Sequence, residues 1–405
     1  MTNHVETDCC IVGAGPAGAM LAFLLARQGV RVLLLEARDD FDRDFRGDTL
    51  HSSSLEILDQ LGLADDLLKL PHNRLEQAVF ETPAGTVAPA DFRELRTRFP
   101  FVALIPQEQF LAFLTERARQ FDGFELKMGA NVRELIKEGD QVTGVLFEDD
   151  SGKHEVTARL VVACDGRFSR IRKQSGLQAI ATSPPMDVLW FRLPHDGDHP
   201  NRELMGRIGD GRMLIVLPRR DHDQVGYVIL KGGYRDIRDQ GIQSLRDELL
   251  KLAPEFGDRV NGLEDFKSIA PLTVNSDRLK QWYLPGLLLI GDAAHVMSPV
   301  GGVGINYAIQ DAVAASNLLG TKLLKSRPSV HDLRKVQRRR ELPTRVIQLF
   351  QTIIQRRIIQ VALDPSTPFR IPWFLRLPLV RRLPARLIAF GLRRERVNNR
   401  RNLGL

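Results

Sequence analysis

The sequence predicts an α/β protein: a parallel, doubly wound sheet interrupted by an antiparallel sheet and followed by a helical tail. Three observations predict it. The first 36 residues follow a strand–helix–strand pattern, residues 285–306 repeat a strand running into a glycine-rich turn and a helix, and the texture between about 181 and 265 shifts to alternating stretches.

Residues 9–12 are a short apolar run suited to a buried parallel strand. Residues 17–28 (AGAMLAFLLARQ) read as a helix ending at Gly29, and residues 30–35 as a second buried strand ending in Glu36. Between the first strand and the helix lies Gly13-Ala14-Gly15-Pro16-Ala17-Gly18. A bare GxGxxG occurs by chance in a chain with 32 glycines, so its βαβ context carries the reading. Its glycines permit a tight turn, close approach of backbone to a pyrophosphate, and helix–strand packing. The helix start supplies free N–H groups and partial positive charge for phosphates. Glu36, 18 residues beyond Gly18, sits where an acid accepts hydrogen bonds from an adenosine ribose.

On that motif alone the dinucleotide is NAD, NADP or FAD. Residues 285–292 narrow the choice, because this apolar strand ends in Gly291-Asp292 and places a carboxylate at the sheet edge where ligands bind. The turn Gly301-Gly302-Val303-Gly304-Ile305-Asn306 then leads into a helix over 306–319, whose N–H groups point at an anion. Reduced flavin carries negative charge at N1 and the C2 carbonyl, and Asp292 would hold its ribityl hydroxyls. The plainer alternative is a strand–turn–helix with an acidic cap.

With these residues in view, the chain resembles the single-component (group A) FAD-dependent aromatic hydroxylases of the para-hydroxybenzoate hydroxylase fold. Three motifs in the family's order carry the resemblance: GAGPAG at 13–18, Cys164-Asp165-Gly166-Arg167-Phe168-Ser169-Arg170-Ile171-Arg172 after an apolar strand, and GDAAH with GGVGIN at 291–306. The match covers about residues 5–320. It implies a GR2-type Rossmann-like FAD domain and gives Asp165 the family's link to FAD and the nicotinamide cofactor. Arg46 resembles the family arginine near the flavin, and Gln107, at the start of a helix over 107–120, the glutamine that contacts FAD. An isolated surface arginine and a helix-capping glutamine are the commoner cases. The expected cofactor set is Gly13, Gly15, Pro16, Ala17, Gly18, Glu36, Ala37, Arg38, Arg46, Gln107, Asp165, Gly291, Asp292, Pro299, Gly301, Gly302, Val303, Gly304, Ile305 and Asn306.

In the resembling family the dinucleotide domain is discontinuous, which here assigns it residues 1–75, 101–180 and 266–330. Its middle part carries short strands at 124–128, 141–148, 155–158 and 160–164. Residues 76–100 and 181–265 form the inserted substrate sheet, with strands at 188–193, 213–217 and 224–230 and a helix at 243–252; residues 331–405 form the tail. Substrate would lie between that sheet and the flavin ring, where domains meet.

The resemblance implies a reaction: NAD(P)H reduces FAD, O2 adds to give a C4a-hydroperoxide, and one oxygen passes to an aromatic or other electron-rich, lipophilic substrate. The cofactor carries the hard chemistry, so no acid–base triad is expected. His51, His222, Tyr227 and His295 are the candidates for moving a proton. His222 reads more simply as part of a charged hairpin, Tyr227 as packing and His295 as a structural histidine, so the catalytic residue stays unassigned. No second GxGxxG follows a strand, which leaves NADH and NADPH both open; Arg38 and Arg46 suit either an extra phosphate or FAD itself. Trp190, Trp282 and Trp373 are too dispersed for a flavin halogenase signature. A reductase of isoprenoid double bonds and a non-catalytic redox-sensing flavoprotein are the alternatives.

Composition sets limits. The chain has 405 residues, 43% of them hydrophobic, and three cysteines, with no CxxC or Cys/His spacing for zinc or a disulfide framework. A reducing, cytoplasmic setting is expected: the N-terminus lacks a basic n-region, and no run of about 18 apolar residues occurs. The net charge of +7 is uneven. Residues 331–405 carry 18 Lys and Arg against 4 Asp and Glu, a net of +14, leaving −7 for the rest. This tail opens with Arg334-Lys335-Val336-Gln337-Arg338-Arg339-Arg340, continues as an apolar-rich helix around Val346, Phe350, Ile353 and Ile354, and reaches Ile371-Pro372-Trp373-Phe374. It suits either folding back on the acidic body or peripheral contact with the inner face of a membrane; no nucleic-acid recognition motif accompanies it.

Overall fold

The computed structural model describes residues 3–42, 48–194, 203–219, 221–367 and 378–398. At its centre five parallel strands run in the order Leu287–Leu289, Gly152–Ala163, Asn3–Val12, Val32–Leu35 and Phe124–Lys127, with Tyr283–Leu284 antiparallel at one edge. Where the inner strands run side by side, at residues 9–12, 32–35, 160–163 and 287–289, every side chain is apolar because helices and loops cover both faces. The helix Pro16–Ala26 is buried all round, so it lacks the polar stripe of a surface helix. It packs between Gln107–Ala118 and the long helix Gly304–Leu323.

Two expectations about strand length are corrected. Residues 155–158 and 160–164 are not separate strands but one, Gly152–Ala163. From His154 to Arg159 buried residues alternate with half-buried ones, the part up to Thr157 pairing antiparallel with Gln141–Asp149, and the strand's last four residues are all buried. The change of pattern within one strand mimics a break. The first strand likewise begins at Asn3 rather than at 9, because its polar first half pairs with that same half of Gly152–Ala163.

The second sheet has seven strands in the order Ala270–Leu272, Met186–Pro194, His222–Leu230, Arg212–Pro218, Glu203–Gly209, Gln77–Thr82 and Gly85–Asp91. Strand alternation gives it two faces. Leu189, Phe191, Leu214, Val225 and Tyr227 pack on the helix Ile242–Leu252 through Leu245 and Leu249. The opposite face carries Val188, Trp190 and Leu217, which pack on Val102 and Leu104 of a small sheet formed by Thr49–Leu50, Val102–Leu104 and Asn73–Leu75. A Cβ on Gly226 would lie 2.9 Å from the Trp190 ring, so glycine there lets the indole lie flat across the strand.

The tail's first helix, Val330–Ile354, starts at a capping box of Ser329 and Asp332. Several arginines of the tail are ion-paired, one of them completely buried. Arg339 and Arg394 pair with Glu395 and Glu56, Arg382 with Glu94, and fully buried Arg340 with Asp311. The helix Pro378–Phe390 buries Ala385, Ala389 and Phe390 against the Trp190 face. The described tail therefore folds back on the body, while Leu342, Leu349 and Ile353 stay exposed on the outer side of the long helix. Residues 371–374 lie outside the described residues. Among the described residues, no helix is long and apolar enough to cross a membrane and no side-chain cluster suits a metal ion.

Candidate active site

The first glycine-rich turn is held from three sides. Gly13 donates its N–H to Leu35 at 2.7 Å, Cys164 donates to Val12 at 2.7 Å, and the buried Glu36 carboxylate accepts from the N–H groups of Ala14 (2.9 Å) and Arg38 (3.2 Å). Gly13 adopts φ +97°, and a Cβ there would lie 2.6 Å from the carbonyl oxygen of Cys164. One at Gly18 would lie 1.9 Å from the carbonyl oxygen of Gly13. Gly15 differs: nothing lies within 4 Å of its added Cβ. It faces open space at a helix start that has no side-chain cap and no acid in its first turn.

The second turn meets the first. Gly291, at φ +60°, would place a Cβ 3.1 Å from the Ala17 Cβ and 3.4 Å from that of Ala308, so it is wedged between the two helices. Half-buried Asp292 follows in a short 3-10 turn, Gly291–Ala293, at the carboxyl end of the strand Leu287–Leu289. The loop then passes Pro299, Gly301 (φ +77°) and Gly302 (φ +62°) into the helix Gly304–Leu323, which starts two residues earlier than its apolar pattern suggested. This start too lacks a side-chain cap and a first-turn acid, and Gly304 faces open space. Unsatisfied N–H groups at two helix starts, joined at one sheet edge, fit the two anionic regions of a flavin dinucleotide.

Asp165 and Gln107 join the same region. A Cβ on Gly13 would lie 2.9 Å from the Asp165 Cα, and the Asp165 carboxylate accepts from Ser169 Oγ (2.5 Å) and the Ile171 N–H (3.2 Å) at the start of the helix Arg170–Ser175. Burial raises its pKa, partly offset by these bonds. The Gln107 N–H donates to Asp48 at 3.2 Å. Arg46 lies outside the described residues.

A family model described as "FAD binding domain" matches residues 6–349. The chain belongs to this family of flavin-dependent oxidoreductases. It is 34% identical over 328 residues to the 6-methylpretetramide 4-monooxygenase of Streptomyces rimosus, covering 79% of this chain and 78% of that one. It is 30% identical to the 12-dehydrotetracycline 5-monooxygenase/anhydrotetracycline 6-monooxygenase of Streptomyces rimosus subsp. rimosus, covering 79% of this chain but only 64% of that relative's length. Among solved structures, Pseudomonas aeruginosa PqsL in complex with 2-aminobenzoylacetate matches with a TM-score of 0.76 at 19% identity, over 89% of this chain and 98% of that one, a likeness of fold.

Around the flavin-family motifs, several expected residues do structural work. Buried Asn306 commits its amide to the segment before the helix Ser52–Gln60: Oδ1 accepts from the His51 N–H (2.9 Å) and Ser54 Oγ (2.5 Å), and Nδ2 donates to the Thr49 carbonyl at 3.3 Å. The Val303 side chain is buried with Met297, Tyr307 and Ile347. Ile305 packs at the edge of the main core, while Ala37 and Arg38 are exposed.

Of the proton-transfer candidates, Tyr227 is removed by topology. Its hydroxyl donates to Glu248 at 2.8 Å on the helix-covered face, away from the motifs, and burial with Glu248 pushes its pKa well up. His295 is fully buried against Asp311. His51 is also buried, Nδ1 lying 3.0 Å from the Ile388 carbonyl, and burial outweighs its backbone bonds to lower its pKa to about 4. His222 pairs with Asp221 at 2.8 Å; burial lowers its pKa, and Asp221 offsets part of that.

Sequence reasoning missed a charged cluster beside Thr49. Arg219 pairs with Asp48 at 2.8 Å and donates to Gln224 Oε1, and Arg192 is close enough to stabilise the Asp48 carboxylate. Pairing of Arg192 with Gln224, and of Gln224 with Leu217, places Arg192, Gln224 and Arg219 on the Trp190 face. The residues look like an ordinary charged hairpin in sequence, and no local signal joins them to Asp48.

Proposed function

We propose that the chain is an NAD(P)H-dependent FAD monooxygenase that hydroxylates a phenolic, polycyclic aromatic small molecule. The observation that carries this reading is the meeting of two uncapped helix starts at Gly15 and Gly304, wedged together at Gly291, with the charged cluster of Arg192, Gln224, Arg219 and Asp48 joined to the second turn through the Thr49–Gly302 hydrogen bond. The names of the tetracycline-pathway relatives support the polycyclic class.

In this reading residues 1–75, 101–180 and 266–330 build the flavin half, 76–100 and 181–265 the roof, and 331–405 the tail. The N–H groups of Gly15, Ala17 and Gly18 would hold the pyrophosphate and Glu36 the adenosine ribose; Asp292 would hold the ribityl chain and the Gly304 helix start the ring's anionic end. Bound flavin supplies hydride acceptance from NAD(P)H and activation of O2, one oxygen going to the substrate and the other leaving as water. The protein would hold the aromatic substrate beside Arg192 and Arg219, whose charges favour its phenolate, while the buried Trp190 and Leu217 form the packed core under that edge of the sheet. Contact with an anionic membrane rests on one observation, the exposed stripe Leu342, Leu349 and Ile353 interleaved with exposed Arg345 and Arg356.

The test is stopped-flow reduction of the bound flavin by NADH and by NADPH, with and without phenols, quinone precursors and aromatic polyketides, with mass detection of products. A faster reduction with one substrate class and a product heavier by one oxygen are expected. Substrate-independent reduction yielding only peroxide would overturn the reading, and saturation of an alkene without O2 uptake would assign a reductase instead.

A further inference from the structure

The basic run Arg334-Lys335-Val336-Gln337-Arg338-Arg339-Arg340 has no part in the site described so far, yet its last arginine is completely buried. Arg340 Nε donates to Asp311 Oδ1 at 2.8 Å. The other oxygen, Oδ2, accepts from the Gly291 N–H at 3.1 Å and lies 2.6 Å from His295 Nε2. Behind Arg340, Glu395 Oε1 lies 3.6 Å from Nη1, and both oxygens of Glu395 accept from Arg339, at 2.7 and 3.1 Å. The chain thus runs from its C-terminal segment through two buried ion pairs to the backbone of the Gly-Asp turn.

We propose that Arg340 is a positioning residue for the flavin-binding turn: through Asp311 it fixes the backbone of Gly291 and the imidazole of His295, while Glu395 anchors its guanidinium. The C-terminal segment is then part of the flavin site, although it lies beyond the region shared with the family model. The proposal rests on the reading that the Gly291–Asp292 turn holds FAD.

An ionised Asp311 can accept from Gly291, His295 and Arg340 together, whereas a protonated one gives up part of that capacity. Burial alone would raise its pKa, but His295 and Arg340 outweigh burial and hold it below the usual range. The groups facing Asp311 are His295 from the turn, Arg340 from the tail helix with Glu395 behind it, Tyr307 on its own helix and Cys164 at the end of the strand Gly152–Ala163. Without Arg340, burial is opposed by His295 alone, so the pKa of Asp311 moves up and lowering the pH favours its protonated form. The turn then loosens.

The experiment measures the FAD dissociation constant of reconstituted apoprotein by flavin fluorescence quenching between about pH 6 and 8. Wild type should be nearly flat. Arg340→Met should bind about tenfold more weakly at neutral pH, and more weakly still as pH falls. Arg340→Lys, which restores the charge, should recover the flat profile. Asp311→Asn should bind weakly at every pH, and adding Arg340→Met to it should cost nothing more. Wild-type affinity in Arg340→Met, or full additivity in the double variant, overturns the proposal. If Arg340→Met does not fold, Glu395→Gln keeps both arginines and should show a smaller loss with the same pH sign; unchanged affinity there overturns it equally. Wild-type protein that fails to bind FAD would refute the flavin reading instead.

Discussion

Thr49 Oγ1 donates a 2.8 Å hydrogen bond to the Gly302 carbonyl, joining segments 253 residues apart. Gly302 sits at φ +62° in the loop before the Gly304 helix, and a Cβ on it would lie 2.8 Å from the same hydroxyl. The loop therefore takes its position from Thr49. Thr49→Val keeps the shape and removes the bond, so it should cost about 1 kcal/mol of stability and slow flavin reduction. Unchanged melting and unchanged reduction kinetics would show that the loop is held elsewhere.

Gly15→Ala and Gly18→Ala separate binding from folding. Alanine at Gly18 collides with the Gly13 carbonyl, which should destabilise the apoprotein by about 1–3 kcal/mol or more. Alanine at Gly15 meets no protein atom, so apoprotein melting should be unchanged while FAD affinity falls, its methyl group occupying space the pyrophosphate needs. Equal effects of the two on apoprotein melting would refute the assignment.

Asp292→Ala should yield folded but colourless protein. The measurement is flavin absorbance per polypeptide after purification; full yellow colour removes Asp292 from the site.

His51 makes stability depend on pH. Its folded pKa of about 4 lies below its ordinary value of 6.5, so the unfolded chain binds the proton more readily. This contribution is fully present above pH 6.5 and is lost progressively as pH falls toward 4, by up to about 3 kcal/mol. Urea unfolding at a series of pH values should show that slope, and His51→Gln should flatten it. A wild-type slope in the variant would place the titration on another group.

The exposed tail stripe predicts flotation with anionic vesicles at low salt, weakened by added salt and abolished by Leu349→Glu. Protein that stays in solution under all these conditions ends the membrane reading.

The parallel sheet, the two glycine-rich turns and three of the seven strands of the second sheet were legible because each depends on local chemistry. Left-handed backbone at Gly13 and Gly291, apolar runs at 9–12 and 287–290, and β-branched and aromatic residues along 188–191 and 225–229 leave marks in consecutive residues. Strand limits were less legible where one strand serves two environments, as Gly152–Ala163 does.

Partner choice was not legible. That Tyr227 turns from the site while Arg219 meets Asp48 depends on which sheet face the rest of the chain covers, and the same alternation fits both answers. The tail gave the sharpest case. Its composition suited a lipid surface or the body, and burial of Arg340 on Asp311 was decided only when two helices from distant segments closed around both charges. By itself the sequence determined the motifs whose conformation is set within a few residues. The tertiary structure alone decided which charges are buried together, because the cost of desolvating a charge is set by everything packed around it.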